Sequence, residues 1–175
     1  KVDVNEMLTA SDSSYYKVTK EFIDTRINNT LVSASKENKL SFIESWKEFY
    51  TYLDNNDLKE FKTIVKNSIP QIVSNDYALL VTKSESTKII GNKKLHELEI
   101  QFKKVLNKEY KFLFLNEQEW KNFLSTYHKD KKYELIDETI YINMFVKHFS
   151  KFQFLEDMTI ISDLIVLNID YTAQF

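Results

Sequence analysis

The chain has 175 residues, with 24 basic and 26 acidic side chains, a net charge of −2, no cysteine, one glycine and one proline. Without cysteine it has no disulfide framework, no thiolate metal site and no cysteine nucleophile, and its balanced charge provides no overall field that selects nucleic acid or membrane. One glycine excludes Walker, Rossmann and kinase loops and the nucleophile elbow, because each needs several glycines for tight turns or close approach to phosphate.

The N-terminal part of the chain is predicted to change from a loose arm into helices. The first 20 or so residues are polar and weakly patterned, and we expect a linker or a loosely docked arm over residues 1–25. Helical spacing of apolar residues begins at Phe22, and Ser35 is the predicted N-cap of the next helix, which ends at Asn55–Asn56. Its buried stripe is predicted to consist of Leu40, Ile43, Trp46, Phe49, Tyr50 and Leu53.

A short helix and a hairpin are predicted next. Asp57, followed by Glu60 at the capping-box spacing, predicts a helix N-terminus. Pro70 closes this segment because it lacks a backbone donor and disfavours helix at the preceding residue. Residues 71–83 predict a hairpin whose turn is 74–76.

The next stretch, 84–107, predicts a short helix, a turn at Gly91–Asn92 and a longer amphipathic helix. Aromatic and other side chains alternate over 109–115, which is typical of a strand. Asn116 and Glu119 have capping-box spacing and predict the start of another helix. The stripe of that helix is Trp120, Phe123, Leu124 and Tyr127.

The remaining elements complete the predicted fold. Residues 137–149 predict a helix, and 163–169 form an apolar run of strand length. Trp46 and Trp120 lie on helical stripes with other aromatics, so we expect both in the core rather than at a binding surface. The order of elements predicts an α/β (α+β) domain, with a small sheet of about three strands packed against several helices and preceded by a helical segment.

The titratable residues form no recognisable catalytic or metal constellation. His96, His128 and His148 lie apart from one another and from carboxylates at ligand spacing, whereas a helical metal site needs ligands three or four residues apart. Glu117 and Glu119 are better explained by attraction to the positive end of a helix. We therefore expect no catalytic residue, no cofactor and no metal, although an unrecognised hydrolase or transferase stays open as an alternative.

Residues 88–115 have the layout of a KH module: an apolar pair, a glycine turn with lysines, an amphipathic helix and a strand. A KH module uses a GXXG loop to approach a nucleic-acid backbone, and the corresponding residues here are Gly91, Asn92, Lys93 and Lys94. The second glycine is replaced by lysine, which impairs close approach. The alternative is an ordinary turn with surface lysines. We expect KH-like topology with weak or no direct binding of nucleic acid.

The last residues, 170–175, follow a predicted strand and include Tyr171 and Phe175. An aromatic tail with little to bury it is either frayed or a docking peptide. By elimination, Tyr171 and Phe175 are the predicted partner-binding residues. The predicted organisation is an arm over 1–25, a domain over 26–170 and a tail over 171–175.

Three stretches together resemble the C-terminal region of the tau/gamma clamp-loader subunit of bacterial DNA polymerase III, in its low-GC Gram-positive or mollicute form. The first, 26–49, has an R-I-N start, a polar break and a helix with a central Trp. The second, 113–127, has a strand, a short acidic turn and an E/Q-x-W helix start. The third, 137–170, is similar to the terminal helix and strand of that region.

The resemblance implies a non-catalytic, KH-like replisome tether. Its expected partners are the catalytic subunit of the replicative polymerase and, through nearby sequence, the replicative helicase. ATP hydrolysis would belong to a preceding module of a longer parent protein. No apolar run approaches the ~20 residues that span a bilayer, and no signal peptide is visible, so we expect a cytoplasmic protein without membrane contact. A KH-like domain that binds single-stranded nucleic acid is the alternative.

Overall fold

A computed structural model describes residues 16–127 and 131–138 of the chain. The chain divides into two units, Val18–Ile136 and a second made of Lys1–Lys17 with Asp137–Phe175, and all the elements described below belong to the first. The helix and strand predicted beyond position 138, and the tail over 171–175, lie outside the described residues.

Six helices and three strands occupy the described residues, so the predicted α+β class is confirmed. In chain order they are α1 Lys20–Val32, α2 Lys36–Asn55, α3 Lys59–Lys66, β1 Ser68–Val73, β2 Tyr77–Thr82, α4 Glu85–Lys93, α5 Leu95–Leu106, β3 Lys111–Asn116 and α6 Glu117–Thr126. The strands form one sheet in the order β1-β2-β3, with β1 antiparallel and β3 parallel to β2. The predicted small sheet packed against helices is therefore present. Residues 20–25, assigned to the arm from their sequence, are the first turns of α1.

The connections of the sheet follow from its strand directions. All six residues of β2 are buried, as expected for a central strand with an unbroken apolar sequence. The hairpin between β1 and β2 is confirmed, and its turn is closed by the Ser74 amide, which donates to the Tyr77 carbonyl at 2.8 Å. Because β2 and β3 are parallel, a crossover must join them, and α4 and α5 provide it.

Aromatic rings fill the core between α2, α5 and β3. The centroid of the Phe102 ring lies 5.2 Å from that of Phe49 and 5.4 Å from that of Phe112. Trp46 is buried beside Phe42, with their ring centroids 5.4 Å apart, so its predicted place in the core is confirmed. Aromatic pairs at these distances add to the free energy gained from burial.

A buried ion pair connects α1, α5 and β3. The Arg26 side chain, which is fully buried, donates to the Glu99 carboxylate and, at 2.7 Å, to the Phe112 carbonyl. The same carboxylate accepts the Phe112 amide at 3.0 Å. The Arg26 guanidinium also lies over the Phe22 ring, 4.7 Å from its centroid. Arg26 is the only arginine in the sequence; its charge is matched by the Glu99 carboxylate, and it also donates to a backbone carbonyl.

Of the caps predicted for α2 and α3, one is confirmed and one is wrong. Ser35 is confirmed as an N-cap, because its hydroxyl accepts the Asn38 amide at 3.0 Å. The capping box predicted at Asp57 is wrong: the N-cap of α3 is Leu58, which makes no side-chain cap. Asp57 instead has a φ of 56° and follows the end of α2. Its amide and that of Leu58 bond back to the carbonyls of Asp54 and Leu53, which is the Schellman pattern.

None of the helices in the described part of the chain is long and apolar enough to cross a membrane.

Replacing Arg26 with alanine is expected to reduce the free energy of unfolding by about 3–5 kcal/mol, because Glu99 is then left buried without its charge partner. Chemical denaturation measures this loss. The matched control is Lys20→Ala, which removes an exposed ion pair with Asp24 on the same helix and should leave stability nearly unchanged. Equal effects of the two substitutions would contradict the structural role of Arg26.

Candidate functional site

The aromatic stripe of α6 lies at the surface. No residue of α6 is buried, and Leu124 and Tyr127 are 50% and 40% exposed. The ring of Phe123 lies between those of Trp120 and Tyr127, at centroid distances of 5.5 and 5.6 Å. The predicted place of Trp120 in the core is therefore wrong, since the residue is only half-buried. The helical period identifies an apolar face but does not identify what covers it.

An open groove of about 620 Å³ runs beside this stripe, between α6, the start of α2 and strand β1. Its lining residues from α6 and its C-cap are Trp120, Phe123, Leu124 and Tyr127, and those from the rest of the chain are Leu31, Ala34, Ser35, Lys36, Lys39, Leu40, Gln71, Ile72 and Val73. We call this surface the α6 groove. Most of its lining is apolar, and its charged members among the described residues are Lys36 and Lys39.

A second groove, of about 610 Å³, lies on the other flank of α6 and is more polar. It shares Leu31, Phe123 and Tyr127 with the α6 groove and adds charged residues such as Asp24 and Glu119. The α6 helix is therefore a ridge between the two grooves, and Phe123 and Tyr127 line both.

The start of α6 is held firmly by its neighbours. The predicted capping box is confirmed: the Asn116 side chain accepts the Glu119 amide at 2.7 Å, and the Glu119 carboxylate accepts the Asn116 amide at 2.9 Å. Lys88 of α4 lies 3.3 Å from the Glu119 carboxylate and 2.9 Å from that of Glu85. Burial acts to lower the pKa of Lys88, but hydrogen bonds and charges from Glu85 and Glu119 raise it overall. These contacts fix where the aromatic ridge begins.

Side chains close the outer edge of β3. Glu99 and Arg26 bind the amide and carbonyl of Phe112, as described above. Two residues on, the Asn92 side chain accepts the Phe114 amide and donates to the Phe114 carbonyl, both at 2.9 Å. The edge of β3 is therefore satisfied from within the chain.

The opposite edge, β1, is closed in another way. Pro70 has no amide to donate, and the pairing with β2 shifts register between Pro70 and Ile72. The Val73 carbonyl accepts the Ser35 amide at 3.2 Å. Neither edge offers an unbroken row of backbone groups to an added strand.

The four residues of the predicted nucleic-acid loop have different positions from those expected. The predicted turn at Gly91–Asn92 is wrong, because α4 continues to Lys93 and the turn falls at Lys94. Gly91 is buried in α4, where an added Cβ would lie 2.8 Å from the Phe114 ring. This glycine therefore allows close packing of helix on strand. Asn92 holds the edge of β3.

The two lysines of that loop differ from each other. Lys93 is exposed, whereas the Lys94 ammonium lies 3.4 Å from Glu60 and 4.0 Å from Glu97. One lysine of the pair is thus already matched by carboxylates. The other predicted partner-binding residues, Tyr171 and Phe175, lie outside the described residues.

The possible metal ligands at the described positions, 16–127 and 131–138, do not cluster. No group of three or more histidine, aspartate and glutamate side chains is arranged to hold a metal there. His96 is half-buried on α5, while His128 and His148 lie outside the described part of the chain. What the described surface offers instead is an apolar groove that can bind another apolar surface.

No protein-family model matches the chain, and no curated protein or solved structure is significantly similar to it.

One member of the groove could have been identified from the sequence. Leu40 is 57% exposed, so its predicted place in the buried stripe of α2 is wrong. At 100° per residue it lies almost opposite Phe42, Trp46 and Phe49, which are buried. That phase difference was the signal. The contribution of Ile72 from β1 depends on tertiary structure and had no local signal.

Replacing Gly91 with alanine is expected to destabilise the fold by about 1–3 kcal/mol, because the new methyl group must displace the Phe114 ring. In a helix interior alanine is normally more favourable than glycine, so a lower free energy of unfolding would show that the contact with Phe114 outweighs helix propensity. Thermal or chemical denaturation measures it. A stabilised variant would show that the contact relaxes freely and that Gly91 serves another purpose.

Proposed function

We propose that this chain is a non-catalytic docking domain of the replisome, which binds the catalytic subunit of the replicative polymerase to the clamp loader in the cytoplasm. The observation that carries the proposal is the solvent-facing aromatic ridge of α6 beside an apolar groove. Exposed apolar surface of this kind typically marks an interaction site, and aromatic anchors typically dominate binding.

Two stretches that resemble the tau C-terminal region have different roles in the fold, and this difference supports the proposal. Arg26 and Trp46, from the first landmark, have structural tasks in the ion pair and the aromatic core. The second landmark, 113–127, comprises most of β3 and all of α6. Its Trp120 lines the α6 groove and is not buried. The fold explains the first landmark, whereas the second also presents a surface.

The alternative of single-stranded nucleic-acid binding receives less support. Gly91 and Asn92 serve the packing and the edge of β3, and Lys94 faces Glu60. Of the four residues 91–94, only Lys93 is then an exposed lysine that could bind a phosphate.

Binding of the polymerase subunit tests the proposal directly. The double variant Phe123→Ser/Leu124→Ser is expected to bind the catalytic subunit at least tenfold more weakly than the wild type, because it removes two apolar groups from the ridge. Titration calorimetry or surface plasmon resonance measures the Kd. The unfolding midpoint should change little, since α6 has no buried residue.

The matched control is Ile89→Ser/Ile90→Ser on α4. Ile89 is 54% exposed and Ile90 is 41% exposed. It should bind as tightly as the wild type.

A third variant lacks residues 170–175 and tests the contribution predicted for Tyr171 and Phe175. We expect this deletion to weaken binding of the catalytic subunit. Wild-type affinity in both the ridge and the tail variants, or no binding by the wild type, would contradict the proposal.

The nucleic-acid alternative makes a different prediction. If it were right, the wild type would bind single-stranded oligonucleotides in a strongly salt-dependent way and Lys93→Glu/Lys94→Glu would abolish binding. We expect little binding by either protein in fluorescence anisotropy at 0.15 M salt. Tight binding that the double variant removes would favour the alternative.

A further inference from the structure

The α6 groove has a one-sided charge. Its described lining includes the two lysines Lys36 and Lys39 and no carboxylate. Among the described contacts Lys36 has no ion pair, and the Lys39 ammonium approaches a neutral group, the Gln71 side-chain oxygen, at 3.5 Å. Other lysines of the fold, such as Lys62 and Lys103, are paired with carboxylates at 2.8 and 2.7 Å. Within the described part of the chain, both lysines of the groove therefore lack a carboxylate partner.

The position of these lysines strengthens the local positive potential. Lys36 is the first residue of α2 and Lys39 lies one turn later, close to the end of the helix where the unpaired amides give a partial positive charge. Basic side chains are unfavourable at that end. Glu37 belongs to the same turn but does not line the groove. An incoming carboxylate would be attracted by both the lysines and the helix end.

The backbone geometry restricts how a partner segment can bind. The β3 edge is bound by Arg26, Glu99 and Asn92, and the β1 edge is interrupted at Pro70. Addition of a strand, which needs an open edge, is therefore disfavoured. An apolar groove between a helix and its neighbours instead fits the mode in which an amphipathic helix lays its apolar face into the groove.

We propose that the α6 groove binds an amphipathic helix of a partner protein whose apolar face is flanked by acidic residues. The apolar face contacts Phe123, Leu124 and Leu40, and the acidic flank pairs with Lys36 and Lys39. This inference rests on the proposed function, because it specifies the chemistry of the partner segment that such a docking domain recognises.

The test uses two synthetic helical peptides and no polymerase subunit, so its outcome is independent of the polymerase titration. Both peptides have leucines at helical positions i, i+3, i+4 and i+7, and an alanine background. One carries glutamates beside the leucine face and the other carries lysines at the same positions. Binding to the whole chain is followed by fluorescence anisotropy of a dye on the peptide.

The wild type is expected to bind the glutamate peptide at least tenfold more tightly than the lysine peptide at low ionic strength, with a preference that shrinks as salt rises. Lys36→Glu/Lys39→Glu should abolish or reverse the preference. This variant places acids at the helix end where they are favourable, so the fold should be retained. The control Lys47→Glu/Lys104→Glu changes the net charge equally at exposed positions outside the groove and should keep the wild-type preference.

Three results would overturn the inference. The first is equal binding of the two peptides, and the second is binding of neither. The third is a dimer of the chain, detected by sedimentation at the assay concentration, that Phe123→Ser/Leu124→Ser dissociates, because a second copy would then occupy the groove. The chain could also fail to bind the polymerase subunit and still prefer the glutamate peptide. That result would contradict the polymerase subunit as the partner and would support an acidic amphipathic helix as the segment that binds the α6 groove.

Discussion

The described fold depends on one buried ion pair. Arg26 and Glu99 together satisfy both the amide and the carbonyl of Phe112, so two side chains from different helices bind one residue of β3. A buried guanidinium is costly to desolvate, and it is tolerated here because a carboxylate, a carbonyl and an aromatic ring all face it. Since α1 and α5 are distant in sequence, this pair also fixes the position of both helices relative to Phe112 of β3.

The same interaction has a consequence for binding. Together with Asn92, it closes the outer edge of β3, and Pro70 interrupts the edge of β1. A small sheet with exposed edges tends to recruit other strands, and these side chains remove that option. The ridge of α6 is then an accessible apolar surface among the described residues, and its start is fixed by Asn116 and Glu119 at the end of β3. The buried charge of Arg26 and the exposed aromatic face of α6 therefore belong to opposite ends of the same strand, β3.

Local patterns in the sequence predicted the elements but not their partners. The caps at Ser35 and Asn116 and the hairpin turn depend on neighbouring residues, and all three are confirmed. Asp57 was misassigned because an aspartate serves equally as an N-cap or in a left-handed turn, and the choice is made by the end of α2. Trp120 was misassigned because its helical period is the same for a core face and an open one.

The candidate site was less predictable for the same reason. Gly91 looked like the start of a loop, yet its lack of a side chain serves contact with Phe114, twenty-three residues away in the chain. The ion pair was not foreseen either, since Arg26 and Glu99 are separated by α2, α3, β1, β2 and α4. Tertiary pairing of this kind leaves no spacing signal in one sequence.

The central claim is that the aromatic ridge of α6 is the surface that binds the catalytic subunit of the replicative polymerase. Hydrogen exchange of the whole chain, measured with and without that subunit, tests it most directly. The account predicts slower exchange in the amides of 117–126 and at the start of α2, with unchanged exchange in α4. Unchanged exchange over 117–126 in a complex that demonstrably forms would contradict it.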